Sequence, residues 1–158
     1  MPKALVVYYS RTGHTEAMAG KIAAVLREEG LETDLKRVEE TPVDILPDYD
    51  AVVLGSPVYY GTMAWPLKKF LDESVRFHRK LAGRVGGAFA SSMNVGGGNE
   101  TAVMDILKAL LIHGMVVQGE PGTDHFGPVA INAPDERALE ACAAHARVIA
   151  RLTGKLRG

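Results

Sequence analysis

With 158 residues, of which 47% are hydrophobic and 23% charged, the chain has the size and composition of one globular domain spanning residues 1–158. A formal net charge of −1, from 18 basic and 19 acidic residues, argues against a nucleic-acid binder and against a polybasic membrane-binding protein. The single cysteine, Cys142, excludes an intrachain disulfide, and the apolar run beginning at Ala4 is too short for a signal peptide or a membrane span. We therefore expect a cytoplasmic protein without nucleic-acid or membrane partners.

Strand and helix patterns alternate along the whole chain. Strands buried on both faces appear as continuous apolar runs, whereas helices show apolar residues three and four positions apart. In chain order the patterns predict a strand at Ala4–Tyr9, a helix at Thr15–Glu29 that Gly30 ends, strands at Leu31–Val38 and Ala51–Leu54, a helix at Trp65–Leu71, a strand at Val85–Ala90, a helix at Glu100–Ile112, a last strand at Met115–Gln118, and a closing helix that runs from the N-cap Asp135 to about Leu152.

Strands that are separated by helices predict right-handed crossovers and a parallel sheet. The chain is therefore expected to adopt a three-layer α/β fold, with five parallel strands in the order 2-1-3-4-5 and helices on both faces. In such a sheet, ligands bind beyond the carboxyl ends of the strands, at the switch point between strands 1 and 3. The loops after predicted strands 1, 3 and 4 meet at that edge and can share a ligand.

The loop after the first strand has the residue types that bind a terminal phosphate. It contains hydroxyl donors, a glycine that allows close backbone approach, and the N-terminus of a helix with its unpaired N–H groups. The residues are Ser10, Arg11, Thr12, Gly13, His14 and Thr15. Neither the Gly-Lys-Ser/Thr of a nucleoside triphosphate site nor the Gly-x-Gly-x-x-Gly of a pyrophosphate site is present. We therefore predict a monophosphate held mainly by neutral donors; the alternative is a helix that is merely capped.

The loops after the third and fourth strands are predicted to hold an aromatic ring. The former supplies planar side chains and a glycine whose backbone freedom lets a carbonyl face the ligand. The latter supplies backbone N–H groups for a heterocycle with an acceptor-rich edge. The residues are Pro57, Val58, Tyr59, Tyr60, Gly61 and Trp65 in one loop, and Ser91, Ser92, Met93, Asn94, Val95, Gly96 and Gly97 in the other. The alternatives are aromatics that belong to the core or an interface, Trp65 above all, and an ordinary flexible third loop.

Several other functions of this fold class do not fit the same loops. A phosphorelay receiver needs acidic residues after strand 1 and an aspartate at the end of strand 3, where this chain has Ser10 and Gly55-Ser56-Pro57. Cys142 falls in the last predicted helix, away from the edge where the loops meet, so it is not placed as the nucleophile of a phosphatase. We interpret it as a small buried apolar residue. The five histidines lack metal-ligand spacing, so no metal site is predicted.

The motifs together resemble a known family. They are Tyr8-Tyr9-Ser10-x-x-Gly13-His14-x-Glu16-x-Met18-Ala19, Gly55-Ser56-Pro57, Gly61-x-Met63, Phe70-Leu71-Asp72, Gly96-Gly97-Gly98-x-Glu100-Thr101 and His113-Gly114-Met115-Val116. In this order they are similar to the flavodoxin-like NAD(P)H:quinone oxidoreductases of the tryptophan-repressor-binding-protein type, from residue 4 to about residue 131. The resemblance implies a flavodoxin-like fold and a tightly but non-covalently bound FMN.

The resemblance also implies where the cofactor and the substrates bind. It assigns the FMN phosphate to Ser10–Thr15, and the isoalloxazine ring to Val58–Tyr60, with Gly61 close by, and to Ser91–Gly97. NAD(P)H would be the electron donor, a quinone or similar small molecule the acceptor, and a homo-oligomer, dimer or tetramer, the assembly. Quinone reduction needs protons, for which His125, Tyr59 or Tyr60 are the candidate relays, although His125 is better explained as a surface residue without a role.

Two other functions remain open at this stage. A flavodoxin, which carries single electrons without being an enzyme, would share the fold but tends to have acidic residues and a stacking aromatic in the third loop. That loop has no carboxylate before Glu100 and no aromatic, so the composition favours a two-electron enzyme. An FMN-bound regulatory or interaction module would bind the flavin and show no turnover.

Overall fold

The structure is a computed structural model that describes residues 1–158. Seven strands and four helices follow one another along the chain. The strands are β1 (Lys3–Tyr8), β2 (Glu32–Arg37), β3 (Ala51–Tyr59), β4 (Thr62–Met63), β5 (Val85–Ser92), β6 (Val116–Val117) and β7 (Val129–Ile131), and the helices are α1 (His14–Glu28), α2 (Trp65–Glu73), α3 (Asn99–Ile112) and α4 (Glu136–Arg157). Short 3₁₀ helices at Val38–Glu40, Val43–Asp48 and Ser74–Phe77 complete the regular structure.

The main sheet is parallel and has the strand order β2-β1-β3-β5-β6. β4 and β7 lie off this path and pair with β3 and β5. Numbered by themselves in chain order, the five strands of the path have the predicted order 2-1-3-4-5. The predicted α/β, three-layer flavodoxin-like fold is therefore confirmed. The register pairs Val6 of β1 with Leu35 on one side and with Val53 on the other. The strands are therefore aligned so that the loops after β1, β3 and β5 leave the sheet at the same edge.

Two hydrophobic cores lie on opposite faces of this sheet. On one face, Met18 and Ile22 of α1 and Ile149 of α4 pack with Val6 and Phe89. On the other face, residues of α2 and α3 pack with alternate strand residues such as Leu5, Val7 and Leu54. The central strands bury both sets of side chains, which is why their sequences are continuous apolar runs without alternation.

Two predicted strands differ from the structure, and the closing helix α4 continues beyond Leu152 to Arg157. β3 does not end at Leu54 but continues to Tyr59, and it turns at Tyr60-Gly61 into a hairpin with β4. The predicted last strand, Met115–Gln118, is reduced to Val116–Val117, and Val129–Ile131 supplies a second piece that pairs with the far end of β5. The second piece of the last strand gains its backbone hydrogen bonds from β5, which is distant in sequence, and local periodicity does not reveal that partner. The hairpin of β3 and β4 is local, and it depends on the two-residue turn at Tyr60-Gly61.

None of the four helices combines the length and the apolar composition that crossing a membrane requires.

Candidate functional site

A cleft opens at the edge where β1, β3 and β5 end, and we call it the edge cleft. Its volume is ≈ 410 Å³, and the loops that follow three different strands line it. The lining residues are Arg11, Thr12, His14, Thr15, Pro57, Val58, Tyr59, Ser91, Ser92, Met93 and Asn132. This is the position at which open parallel sheets bind ligands.

The first loop presents unpaired backbone donors at the start of α1. The helix begins after Gly13, which has a φ of +93° and gives α1 no side-chain cap. Five backbone N–H groups around this turn have no acceptor within the protein, namely those of Arg11, Thr12, His14, Thr15 and Glu16. Together with the positive end of the helix dipole, such a cluster of N–H groups is suited to an anion.

Three buried hydroxyl groups support this turn. Ser10 Oγ accepts a hydrogen bond from the Gly13 N–H at 3.1 Å, and its own hydrogen remains available. Thr15 Oγ1 and Ser91 Oγ lie 2.9 Å apart and share one hydrogen bond. Because that bond uses only one of the two hydroxyl hydrogens, the other can be donated to a ligand. The Thr15–Ser91 contact also joins the first loop to the third.

The second loop is a tight hairpin held against α3. Tyr60 and Gly61 have φ values of +49° and +83°, as the two central residues of a type I′ turn require. The Thr101 hydroxyl donates to Gly61 O at 2.6 Å, and a Cβ built on Gly98 would lie 2.7 Å from Gly61 Cα. Gly98 therefore allows the second and third loops to approach each other closely, which fixes where Tyr59 enters the edge cleft.

Tyr59 gives the edge cleft an aromatic wall. Its ring meets the ring of Tyr9 edge-on, with centroids 6.2 Å apart and an interplanar angle of 80°. Burial, followed by the proximity of Tyr9, raises the pKa of the Tyr59 phenol above its usual value. The phenol is therefore protonated at neutral pH and can donate a hydrogen bond or a proton in the edge cleft.

Most predicted ligand residues come together in this cleft. Of the eighteen cofactor-binding residues predicted from the sequence, ten line it. Ser10 and Gly13 lie behind the lining and support the first loop, whereas Tyr60, Gly61, Asn94, Val95, Gly96 and Gly97 are exposed and do not line it. The role of each in binding FMN stays a prediction.

One lining residue, Asn132, was not predicted from the sequence. It follows β7 with a φ of +56°, and its N–H donates to Ser92 O at 2.8 Å. The signal that could have found it is Val129–Ile131, a short apolar run whose carboxyl end leads into the cleft. Interpreting Met115–Gln118 as the complete last strand concealed that signal.

The structure does not bring His125 or Trp65 to the edge cleft. His125 lies in the exposed segment between β6 and β7, where its Nδ1 is 2.8 Å from Glu120 O. That segment passes beside the middle of β5, because β6 pairs with residues 85–86 and β7 with residues 90–92. Trp65 begins α2 and is 71% exposed outside the cleft. Neither residue lines the edge cleft.

A larger groove, of ≈ 770 Å³, lies between α2 and α3. It includes His113, whose Nε2 lies 2.8 Å from Ser74 Oγ and whose pKa is lowered by burial and then by His78. None of the residues 10–15 or 91–97 lines this groove. We therefore take the smaller edge cleft, where three strand-end loops converge on unpaired donors, as the candidate functional site.

Comparisons with known proteins agree with this placement. A family model described as a flavodoxin domain matches residues 5–111. The chain is 34% identical, over 197 aligned positions and 99% of both chains, to a Sinorhizobium fredii protein named NAD(P)H dehydrogenase (quinone). A protein of the same name from a Bradyrhizobium strain is also 34% identical, with 100% of both chains covered.

Solved structures give the same result for the fold. An archaeal flavodoxin superposes with a TM-score of 0.80 at 28% identity, covering 99% of both chains. A WrbA-like flavodoxin from Agrobacterium tumefaciens superposes with a TM-score of 0.85 at 24% identity, covering 98% of this chain and 99% of that one. These matches confirm the resemblance that the motifs carry.

Proposed function

We propose that this chain, which belongs to the flavodoxin domain family, is an FMN-dependent oxidoreductase that passes electrons from NAD(P)H to a quinone or a similar acceptor. The observation that carries the proposal is the edge cleft, where unpaired N–H groups of the first loop and the aromatic wall of Tyr59 lie side by side. The names of the relatives from Sinorhizobium and Bradyrhizobium support the same activity.

The residues of the first loop fit the phosphate end of FMN. A phosphate monoester needs several donors that converge without a strongly charged cage, and the start of α1 offers five N–H groups and the hydroxyls of Ser10 and Thr15. Arg11, exposed at the rim, is the only arginine or lysine in the lining. We propose that Arg11, Thr12, His14 and Thr15 surround the phosphate.

The ring end of FMN would lie between the second and third loops. When bound, the flavin supplies the capacity to accept two electrons as a hydride and to release them to a second substrate. Tyr59 and Met93 line the cleft and are 37% and 77% exposed, so they offer apolar surface beside the opening to a planar partner. Holding two rings in contact is most of what hydride transfer requires of a protein.

Tyr59 is the proposed proton donor for the acceptor. Its phenol lies in the cleft and carries a proton at neutral pH, since the ordinary pKa of tyrosine is about 10 and partial burial raises the pKa of Tyr59 further. His125, the other candidate, makes its hydrogen bond within its own segment. Tyr59→Phe should therefore retain flavin binding and slow quinone reduction more than it slows reduction of the flavin by NAD(P)H.

The decisive experiment is an anaerobic titration of the purified yellow protein with NADPH and NADH, followed by benzoquinone. We expect rapid bleaching of the flavin band and complete reoxidation by one equivalent of benzoquinone. Apoprotein stripped of flavin, treated identically, is the control and should neither oxidise NAD(P)H nor reduce benzoquinone. Protein that binds FMN but is not bleached by either nicotinamide would contradict the enzymatic proposal.

A one-electron carrier is the second candidate, because the archaeal flavodoxin covers 99% of this chain at 28% identity. The lining of the edge cleft contains Arg11 and no carboxylate. A cleft without negative charge does not oppose an anionic reduced flavin and so favours two-electron transfer. Stepwise bleaching by dithionite in two separated one-electron phases, together with inertness to NAD(P)H, would support the carrier.

A further inference from the structure

Arg37, at the end of the edge strand β2, reaches across to the first loop. In the sheet register it is paired with Tyr8, the last residue of β1. Its guanidinium carbon lies 5.5 Å from the centroid of the Tyr8 ring, and Nη2 donates to Ser10 O at 2.6 Å. No backbone N–H donates to that carbonyl, so Arg37 supplies its only hydrogen bond.

The direction of this carbonyl has a consequence for the next N–H group. In a trans peptide the C=O and the following N–H point in opposite directions. With Ser10 O directed to Arg37, the Arg11 N–H points away from Arg37, and this N–H has no acceptor within the protein. The same peptide leads directly into the part of the loop where Arg11 and Thr12 line the edge cleft.

The charge of Arg37 is offset locally. Its Nη1 lies 3.6 Å from Glu16 Oε2, and its Nη2 lies 3.5 Å from Glu39 Oε1. Two carboxylates at this range reduce the attraction that the guanidinium could exert on a distant anion. The contribution of Arg37 to the site is therefore directional, through the Ser10 carbonyl, and not a general positive potential.

We propose that Arg37 is a positioning residue for phosphate recognition, which holds the Ser10–Arg11 peptide so that the first loop distinguishes a phosphorylated flavin from riboflavin. This inference rests on the proposed function, because it presupposes that the first loop receives a phosphate. It adds a determinant that lies outside the loop itself, on a different strand and 27 positions away in sequence from the carbonyl that it holds.

The test compares two matched variants, Arg37→Met and Arg27→Met. Arg27 also donates to a backbone carbonyl, Thr33 O, through Nε at 3.2 Å and Nη2 at 2.9 Å, but neither residue lines the edge cleft. Methionine keeps an unbranched apolar side chain about as long as the aliphatic stem of arginine while removing all donors. The dissociation constants of FMN and of riboflavin are measured for apoprotein of each variant by quenching of flavin fluorescence.

We expect Arg37→Met to weaken FMN binding about tenfold or more, the size expected for loss of a charged hydrogen bond. Riboflavin binding should change less than about threefold, because the ring contacts do not involve the Ser10–Arg11 peptide. Arg27→Met should leave the ratio of the two constants at its wild-type value. If Arg37→Met weakens both ligands equally, or weakens neither, the proposal is overturned and Arg37 is merely structural.

Arg37→Lys covers the case in which the methionine variant does not fold. Lysine retains a positive charge but cannot reproduce the planar donor geometry of arginine at this carbonyl. If the dissociation constant of riboflavin divided by that of FMN falls at least about threefold in this variant, the proposal is supported. If this ratio keeps its wild-type value, the proposal is overturned. Wild-type protein that binds riboflavin and FMN equally well would overturn both this inference and the phosphate site, whereas an unaltered ratio in the variants overturns the inference alone.

Discussion

Helices α1 and α3 begin in similar ways but are used differently. Each follows a glycine in the left-handed region, Gly13 with φ +93° and Gly98 with φ +100°, and neither has a side-chain cap. Around Gly13 the neighbouring N–H groups remain unpaired and face a cleft, and a Cβ there would meet nothing within 4 Å. Around Gly98 the space is taken by the second loop, against which the glycine packs.

This difference separates the binding role proposed for the start of α1 from the packing role of the start of α3. The start of α1 is left open, so its donors are available to a ligand. The start of α3 is closed by the Thr101–Gly61 hydrogen bond, so it holds the hairpin that carries Tyr59. A glycine before a helix at the loop edge of an α/β sheet is thus no sufficient sign of an anion site, since the contacts of the neighbouring loops decide its use.

The largest expected effect comes from Gly98→Ala, with Gly13→Ala as its matched control. Both variants place alanine at a positive φ, which costs about 1–3 kcal/mol. Only Gly98→Ala also puts a Cβ 2.7 Å from Gly61 Cα, which adds overpacking. We expect urea denaturation to give a loss of unfolding free energy of about 4 kcal/mol for Gly98→Ala and about half of that for Gly13→Ala. Equal losses would show that the packing of Gly98 is unimportant.

The next largest effect is a pH dependence of stability caused by a buried histidine on one face of the sheet. His145 of α4 packs on the same face as α1, is 5% exposed, and has an Nε2 without a hydrogen-bond partner. Burial lowers its pKa from 6.5 to about 4. Because the unfolded chain takes up a proton below pH 6.5 and the folded chain does not, stability is lost as the pH falls from 6.5 towards 4, by about 3 kcal/mol in all.

His145→Leu should remove this dependence. The difference in unfolding free energy between wild type and variant is measured at pH 7 and at pH 4, so that titrations common to both proteins cancel. We expect the variant to gain about 3 kcal/mol relative to wild type at the lower pH. His125→Gln, at an exposed position, is the control and should show no such gain. A constant difference for His145→Leu would mean that its imidazole is solvated in the folded protein.

The smallest expected effects are changes in flavin affinity, which should differ between FMN and riboflavin at the start of α1 but not at the start of α3. Thr15→Val removes the hydroxyl that pairs with Ser91, and we expect FMN affinity to fall about tenfold with riboflavin affinity less affected. Thr101→Val removes the bond to Gly61 O on the ring side, and we expect FMN and riboflavin to be weakened alike, by about threefold. Isothermal titration of both flavins measures the four constants. A preferential loss of FMN in Thr101→Val would break the distinction between the two starts.

Much of the fold followed from local pattern. Buried strands such as Ala4–Tyr9 and Val85–Ala90 are apolar throughout because both faces of the sheet are covered, and alternation with helices then determines a parallel sheet. The residues of the first loop could also be identified from the sequence, since its hydroxyls, its glycine and the start of α1 are adjacent along the chain. For these features, the interactions that determine the structure lie within one strand or helix and the loop beside it.

The proposed ring side of the site, by contrast, depends on contacts between segments that are distant in sequence. Gly98 packs against the Tyr60-Gly61 turn, and Asn132 reaches the cleft because β7 pairs with the far end of β5. Each of these contacts depends on which segment of the chain packs against or pairs with another. The periodicity of the sequence indicates only whether a side chain is buried. The sequence by itself determined the layers and placed the proposed phosphate-binding residues in one loop. The tertiary structure decided which residues share one cleft, because hydrogen-bond partners across a sheet are chosen in space.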